Sequence, residues 1–238
     1  MFWTLFYLII IFFAIGGLAI VRLNKRSDAE QQKARWIKYV FYLLTVSITV
    51  CCIQFGLMRY LAIVLLAIGA YEIYNGWFPS SKGTMFFITV CIAYLAIAFG
   101  FYKFSTQVAS DRILYVYTIV FTFDGFAQIS GQLFGRKKIL PKISPDKTVA
   151  GVIGGYLMGS VTGLFVMQWL DMPEGVQWWS PLLVCTGAFV GDALASWYKR
   201  QCTLKDYSNL IPGHGGILDR FDSYIFAGAF FCFTTLQL

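Results

Sequence analysis

The chain has 238 residues, of which 58% are hydrophobic, 18% aromatic and only 13% charged, and its formal net charge is +7. So apolar a composition lies outside the range of soluble domains and predicts an all-α, polytopic integral membrane protein. The positive balance calls for no nucleic acid, since membrane topology and an anionic substrate explain it.

A hydrocarbon core of about 30 Å takes roughly 20 apolar residues to cross. In chain order, such runs occur at Phe2–Val21, Ile37–Phe55, Leu57–Tyr74, Met85–Tyr102, Ile113–Phe134, Val149–Leu170, Pro181–Trp197 and Ser223–Leu238. They predict about eight transmembrane helices. Of the 19 Lys and Arg, all but Arg59, Lys103 and Arg112 then fall in loops on one side. Short loops rich in Lys and Arg stay in the cytoplasm, so both termini are expected outside, with loops 135–147 and 199–222 inside. In a prokaryote this predicts the cytoplasmic membrane, with the active site facing the cytoplasm. The first run has no basic residue before it and a dense basic loop after it, which suits an uncleaved anchor rather than a secretion signal. Six cysteines lie mostly inside apolar runs without CxxC spacing, which argues against a disulfide framework or a zinc site.

Residues 1–110 carry few polar groups and read as a four-helix scaffold, although Glu72 lies near the cytoplasmic end of its third helix. Residues 111–238 are different: glycine becomes frequent and acids appear within helices or at their ends. Gly151, Gly154, Gly155, Gly159 and Gly163 have the small-xxx-small spacing that lets membrane helices approach closely, within the chain or across a homodimer.

Asp124 sits in the middle of an apolar run, where a carboxylate costs at least about 2.5 kcal/mol on insertion scales unless it meets water, protein or a cation. Gln128 and Gly131 follow on the same helix face. The next loop, GRKKILPKISPDKT, holds five basic residues around two prolines that keep the backbone extended. Its SPDKT segment could set Ser144, Lys147, Thr148 and the next helix N-terminus around one phosphate. The same charges also suit a loop that only sets topology.

Asp192, Ser196 and Lys199 form one stripe at i, i+4 and i+7. Asp219 and Asp222 are spaced i, i+3 at the start of the last helix. Three acids gathered at a membrane boundary repel one another unless a cation joins them, and oxygen ligands of this kind select Mg²⁺ over softer metals. The competing reading is three unrelated helix-end acids paired with Lys or Arg. His214, the only histidine, stands in PGHGG, a segment that permits tight turns and close approach of backbone N–H groups to a ligand.

Taken together, Ser196, Lys199-Arg200, Lys205-Asp206, Pro212 to Gly216 and Asp219 to Ser223 resemble the C-terminal signature of the phosphatidate cytidylyltransferase (CDP-diglyceride synthase) family. The stretch from Asp124 to Thr148 is similar to another segment of that family. The resemblance covers roughly Ile113 to Leu238. It implies reaction of CTP with phosphatidate to give CDP-diacylglycerol and pyrophosphate, with Mg²⁺ and a second monovalent cation such as K⁺. In that setting Asp192, Asp219 and Asp222 are expected as cation ligands or their supports. Lys147, Lys199, Arg200, Lys205 and Arg220 would neutralise phosphates, Ser144, Thr148, Ser196 and His214 would orient them, and Asp124 would line the headgroup cavity.

Two departures stand out. Typical members carry a glutamate where this chain has Ala195 and an aromatic where it has Gln128. A carboxylate at position 195 would be expected to reach the same cation or a neighbouring lysine, so its absence predicts a site short of one negative charge. A CTP-dependent lipid kinase of the polyprenol type and a non-enzymatic transporter share the buried acids and remain as alternatives at this stage.

Overall fold

The computed structural model describes residues 28–169, 177–208, 210 and 215–235, and near the start residues 13, 14, 17, 18, 20–22 and 24. The segment expected at Phe2–Val21 lies mostly outside the described residues, and so does His214. The described chain forms α1 (Ala29–Gln54), α2 (Met58–Trp77), α3 (Thr84–Gln107) and α4 (Ser110–Phe134), then strands β1 (Lys138–Leu140) and β2 (Ser144–Thr148). After these come α5 (Val149–Trp169), α6 (Ser180–Gln201) and α7 (Leu218–Thr235).

Each of the later apolar runs falls on one helix. The largest difference is at α1, which starts at Ala29 rather than near Ile37, because Asp28 caps it by accepting the Gln31 N–H at 2.8 Å. The helices α1 to α5 are long and apolar enough to cross a membrane. Their outer faces carry stripes such as Ile88, Ile92, Leu95 and Phe99 on α3, and Ile153, Leu157 and Leu164 on α5, all exposed. Exposed apolar belts at helical spacing have lipid as their partner, and the chain is an integral membrane protein.

The expectation of a purely helical chain needs one correction. The basic loop after α4 is a β-hairpin in which β1 and β2 pair antiparallel, with Lys138 opposite Thr148 and Leu140 opposite Ser144. Pro141 lies in the turn between the strands and Pro145 lies in β2, where its fixed φ suits extended backbone and its missing N–H is tolerated in a two-stranded ribbon.

Helix α7 is the centre of the bundle. Phe221, Tyr224, Ile225, Ala227, Ala229, Phe231 and Cys232 are all buried, packed among α3, α4 and α6. Small residues permit this: a Cβ on Gly187 would lie 2.9 Å from the Ala227 backbone, and one on Gly191 2.9 Å from the Asp222 carbonyl. The glycine stripe of α5 faces α4 and α6, with Gly151 against the Ala127 carbonyl, Gly155 against Phe123 and Gly159 against Cys185. Its close approach therefore serves packing within the chain.

Successive helices alternate in direction: α1 to α4 follow one another through two to six residues, and the hairpin joins α4 to α5. This gathers the C-terminal ends of α2, α4 and α6, the N-terminal ends of α1, α3, α5 and α7, and the hairpin at one face. Cross-links confirm it: Lys82 Nζ donates to Gln201 Oε1 at 2.7 Å and Arg200 Nε to the Ile143 carbonyl at 3.1 Å. At the opposite end, Tyr115 and Ser180 share a buried hydrogen bond of 2.6 Å. Arg59, Lys103 and Arg112 belong to helix ends at that second face.

Candidate active site

A cavity of about 1020 Å³ lies at the charged face. The hairpin supplies Ser144, Asp146, Lys147 and Thr148 to its wall, α4 supplies Asp124 and Gln128, and α6 supplies Asp192. Asp219, Arg220 and Asp222 come from the first turns of α7. Most of the polar residues singled out in the sequence thus converge on one space, although they come from four separate elements.

Within that space the acids play different parts. Asp192 Oδ2 is 2.6 Å from Lys147 Nζ, and Asp192 Oδ1 accepts the Ser196 hydroxyl at 3.2 Å. Lys147 also lies 4.9 Å from the Phe189 ring centre, so its ammonium is held between a carboxylate and an aromatic face. Asp219 is committed on both oxygens. Oδ1 is 2.5 Å from Lys199 Nζ, and Oδ2 accepts the Tyr207 and Gly216 N–H groups, each at 2.8 Å. Its side chain is 2% exposed and that of Lys199 is 11% exposed, so this is a buried ion pair that also ties down a loop.

Asp222 differs from both. Among the described residues only Ser223 donates to it, through its N–H at 2.7 Å and its hydroxyl at 3.5 Å, both to Oδ1. Asp222 lies within electrostatic reach of Asp192, Lys199 and Asp124, and Asp124 within reach of Asp192, Lys147 and Arg220. Three carboxylates that sense one another across a protein-lined cavity make it attractive to cations. Next to them, burial pushes the Tyr207 phenol well above its usual range, helped by the Asp222 and Asp219 charges, so it remains a neutral hydrogen-bond donor.

The remaining expected residues separate clearly. Thr148 is buried and its hydroxyl accepts the Gly151 N–H at 3.1 Å, which caps α5 at the cavity wall. Arg200 braces the charged face, donating from Nη1 to the Leu204 carbonyl at 2.8 Å as well as to Ile143. Lys205 is exposed and stands outside the cavity lining. His214 lies outside the described residues.

A second, apolar groove of about 140 Å³ runs between α2, α3, α6 and α7, past Tyr94, Leu194, Ala195 and Phe226. Asp222 borders both spaces. Ala195 faces this groove and its carbonyl accepts the Tyr207 hydroxyl at 3.4 Å. A carboxylate at position 195 would enter an apolar setting beside Asp222 rather than the polar space that Asp192 lines.

Sequence reasoning missed the contribution of the first half. Arg35, Lys38, Tyr39, Tyr42 and Thr45 of α1 all line the large cavity. Their spacing of i, i+3, i+4, i+7 and i+10 marks one helix face, a signal hidden when Arg35 and Lys38 were weighed only as topology-setting charges. Glu72 of α2 was missed as well. It is completely buried and accepts hydrogen bonds from Ser208, Ile217 and Leu218.

This arrangement sits in a sequence that matches the profile of the cytidylyltransferase family over residues 1–237, and the chain belongs to that family. It is similar to the phosphatidate cytidylyltransferase of Staphylococcus haemolyticus, with 35% identity over 144 residues. The proteins of the same name from Staphylococcus aureus and Staphylococcus epidermidis are 35% identical over 142 residues and 36% over 144. In each case the match takes in 59% of this chain and 55% of the relative, so the chain spans about half the length of the curated relatives it matches.

The unequal roles of the two α7 acids predict unequal stability effects. In Asp219→Asn the amide NH₂ must face either Lys199 or the two backbone N–H groups, and the buried ion pair is broken, at a cost of about 3 kcal/mol. Asp222→Asn keeps an acceptor for Ser223 and relieves repulsion from Asp192. Thermal unfolding in detergent without substrate should show Asp219→Asn clearly less stable and Asp222→Asn at or above wild type. Equal losses in both would contradict the division of roles.

Proposed function

We propose that the protein transfers CMP from CTP to phosphatidate, giving CDP-diacylglycerol and pyrophosphate. The observation that carries this reading is the cavity itself, in which carboxylates from α4, α6 and α7 face Lys147, Arg220 and Lys38 at the end of a membrane-embedded bundle. An apolar groove bordered by Asp222 adjoins it, which suits a substrate with a charged head and acyl chains.

In the reaction an oxygen of the lipid phosphate attacks the α-phosphorus of CTP. The bond from that phosphorus to the oxygen bridging to the β-phosphate breaks, and pyrophosphate leaves with the bonding electrons. The attacking oxygen is already anionic at neutral pH, so alignment and charge neutralisation matter more than a strong base. Lys147 and Arg220 stand where they can neutralise the triphosphate, and Ser144 orients it. Lys199 acts through Asp219, and Ser196 fixes the rotamer of Asp192.

The donor set fits Mg²⁺. Among the described residues no three of His, Cys, Asp and Glu group closely enough to hold an ion by themselves, but Mg²⁺ commonly takes one or two carboxylates and completes its shell with water and substrate phosphate. Asp192 and Asp222 would hold it, with Asp219 as the support that positions α7. When bound, the ion neutralises charge on the phosphates as the new bond forms. The family resemblance adds a monovalent cation, K⁺, as a second ion.

The proposal extends to topology: about eight spans, in a prokaryote those of the cytoplasmic membrane, with both termini outside, residues 1–110 as scaffold and cavity wall, and residues 111–238 as catalytic core opening to the cytoplasm. A cysteine at Lys205, in a protein whose native cysteines are replaced, should resist an impermeant thiol reagent in intact cells and react once the membrane is opened. Labelling of intact cells would reverse the orientation.

Purified protein given CTP, phosphatidate and Mg²⁺ should form a cytidine-containing lipid and pyrophosphate. Asp222→Asn should lower turnover roughly a thousandfold, the equivalent of about 4 kcal/mol of transition-state stabilisation. Release of CDP with a phosphorylated lipid, or full activity of Asp222→Asn, would overturn the proposal.

A further inference from the structure

Glu72 comes from the half of the chain that carries no motif, yet it makes some of the longest-range hydrogen bonds in the structure. Its Oε1 accepts the Ser208 hydroxyl at 2.6 Å and the Ile217 N–H at 3.0 Å, and its Oε2 accepts the Leu218 N–H at 2.7 Å. The side chain is 0% exposed, and among the described residues no Lys or Arg is paired with it. A buried acid in this position is held by three donors and by the positive end of the α7 dipole.

The segment it grips leads directly into the site. The first N–H groups of any helix lack partners within the helix; here Glu72 takes that of Leu218, together with the Ile217 N–H and the Ser208 hydroxyl, while Asp219 holds the Tyr207 and Gly216 N–H groups of the preceding loop. Gly216 makes the approach possible, since a Cβ there would lie 2.4 Å from Glu72 Oε1. Gly215 takes φ +80, open to glycine at little cost, to turn the chain over Asp219. One helical turn after Leu218 comes Asp222, whose only hydrogen-bond donor among the described residues is Ser223.

We infer that Glu72 is a positioning residue: from α2 it clamps the loop before α7 and the first turn of α7, and so sets where Asp222 stands in the cavity. The effect on turnover rests on the proposed cytidylyl transfer, whereas the clamp itself rests on geometry alone. Misplacing a reacting group by about 1 Å costs on the order of a hundredfold in rate, and a carboxamide at position 72 turns an NH₂ against backbone donors.

The experiment compares wild type, Glu72→Gln and Ser208→Ala by hydrogen–deuterium exchange in detergent and by steady-state kinetics with CTP, phosphatidate and Mg²⁺. In Glu72→Gln the Ile217 and Leu218 amides should exchange at least tenfold faster while the α4 and α5 cores keep wild-type protection, and kcat should fall about 10- to 100-fold with KM for CTP changed less than threefold. Ser208→Ala, which removes one donor and leaves the backbone contacts, should give a smaller change in the same direction and decides the matter if Glu72→Gln does not fold. Unchanged exchange at residues 217 and 218 would overturn the clamp. Faster exchange with wild-type kcat would overturn the positioning role, and a wild type that forms no cytidine-containing lipid would defeat the proposed reaction while the exchange result still judged the clamp.

Discussion

The start of α7 must be fixed in place although it carries two acids and emerges from a glycine-rich loop. Glu72 from α2 meets the Ile217 and Leu218 N–H groups there, Asp219 from the first turn of α7 holds the Gly216 N–H of the loop before it, and Asp219 is in turn neutralised by Lys199 of α6. The Lys199, Asp219 and Glu72 side chains are all buried, so removing either member of the Lys199–Asp219 pair leaves the other charge without compensation. Helices α2, α6 and α7 are thereby joined at one end, and the cavity beside them inherits its shape from that junction.

Once the loop is secured, the acids at the cavity differ in how fully their oxygens are bonded. Asp219 has all its neighbours. Asp192 shares Lys147 with the hairpin, a contact that a phosphate could replace, because a triphosphate offers the lysine the same kind of anionic oxygen. Asp222 and Asp124 each lie within electrostatic reach of Asp192 across the cavity. A bilayer-embedded bundle tolerates such crowding only where the groups line a polar space or meet a cation, and here the acids line the polar cavity at the charged face.

The helices and the polar residues of the second half were legible in the sequence, because membrane spans announce themselves by length and apolarity and because an acid in such a run has few bland explanations. Asp124, Lys147, Asp192 and Asp222 were found in this way and do meet in space. The hairpin was foreshadowed only by the prolines that keep its strands extended. What sequence could not separate was Asp219 from Asp222: both stand on the first turns of one helix, and only the positions of Lys199 and the Tyr207 and Gly216 amides show which is occupied. Glu72 was invisible as a partner of the loop, since its contacts span well over a hundred residues and no local spacing encodes them. The α1 face was legible in principle, but its charges already had an explanation as cytoplasmic anchors.

The decisive observation would be the position of a divalent ion and nucleotide in crystals grown with Mn²⁺ in place of Mg²⁺ and a non-reactive CTP analogue. Anomalous scattering should place the ion between Asp192 and Asp222, with the triphosphate against Lys147 and the Lys199–Asp219 pair intact. An ion bound at Asp219 after Lys199 has been displaced, or a nucleotide seated outside the cavity, would contradict the separation of structural from chemical acids on which the site is built.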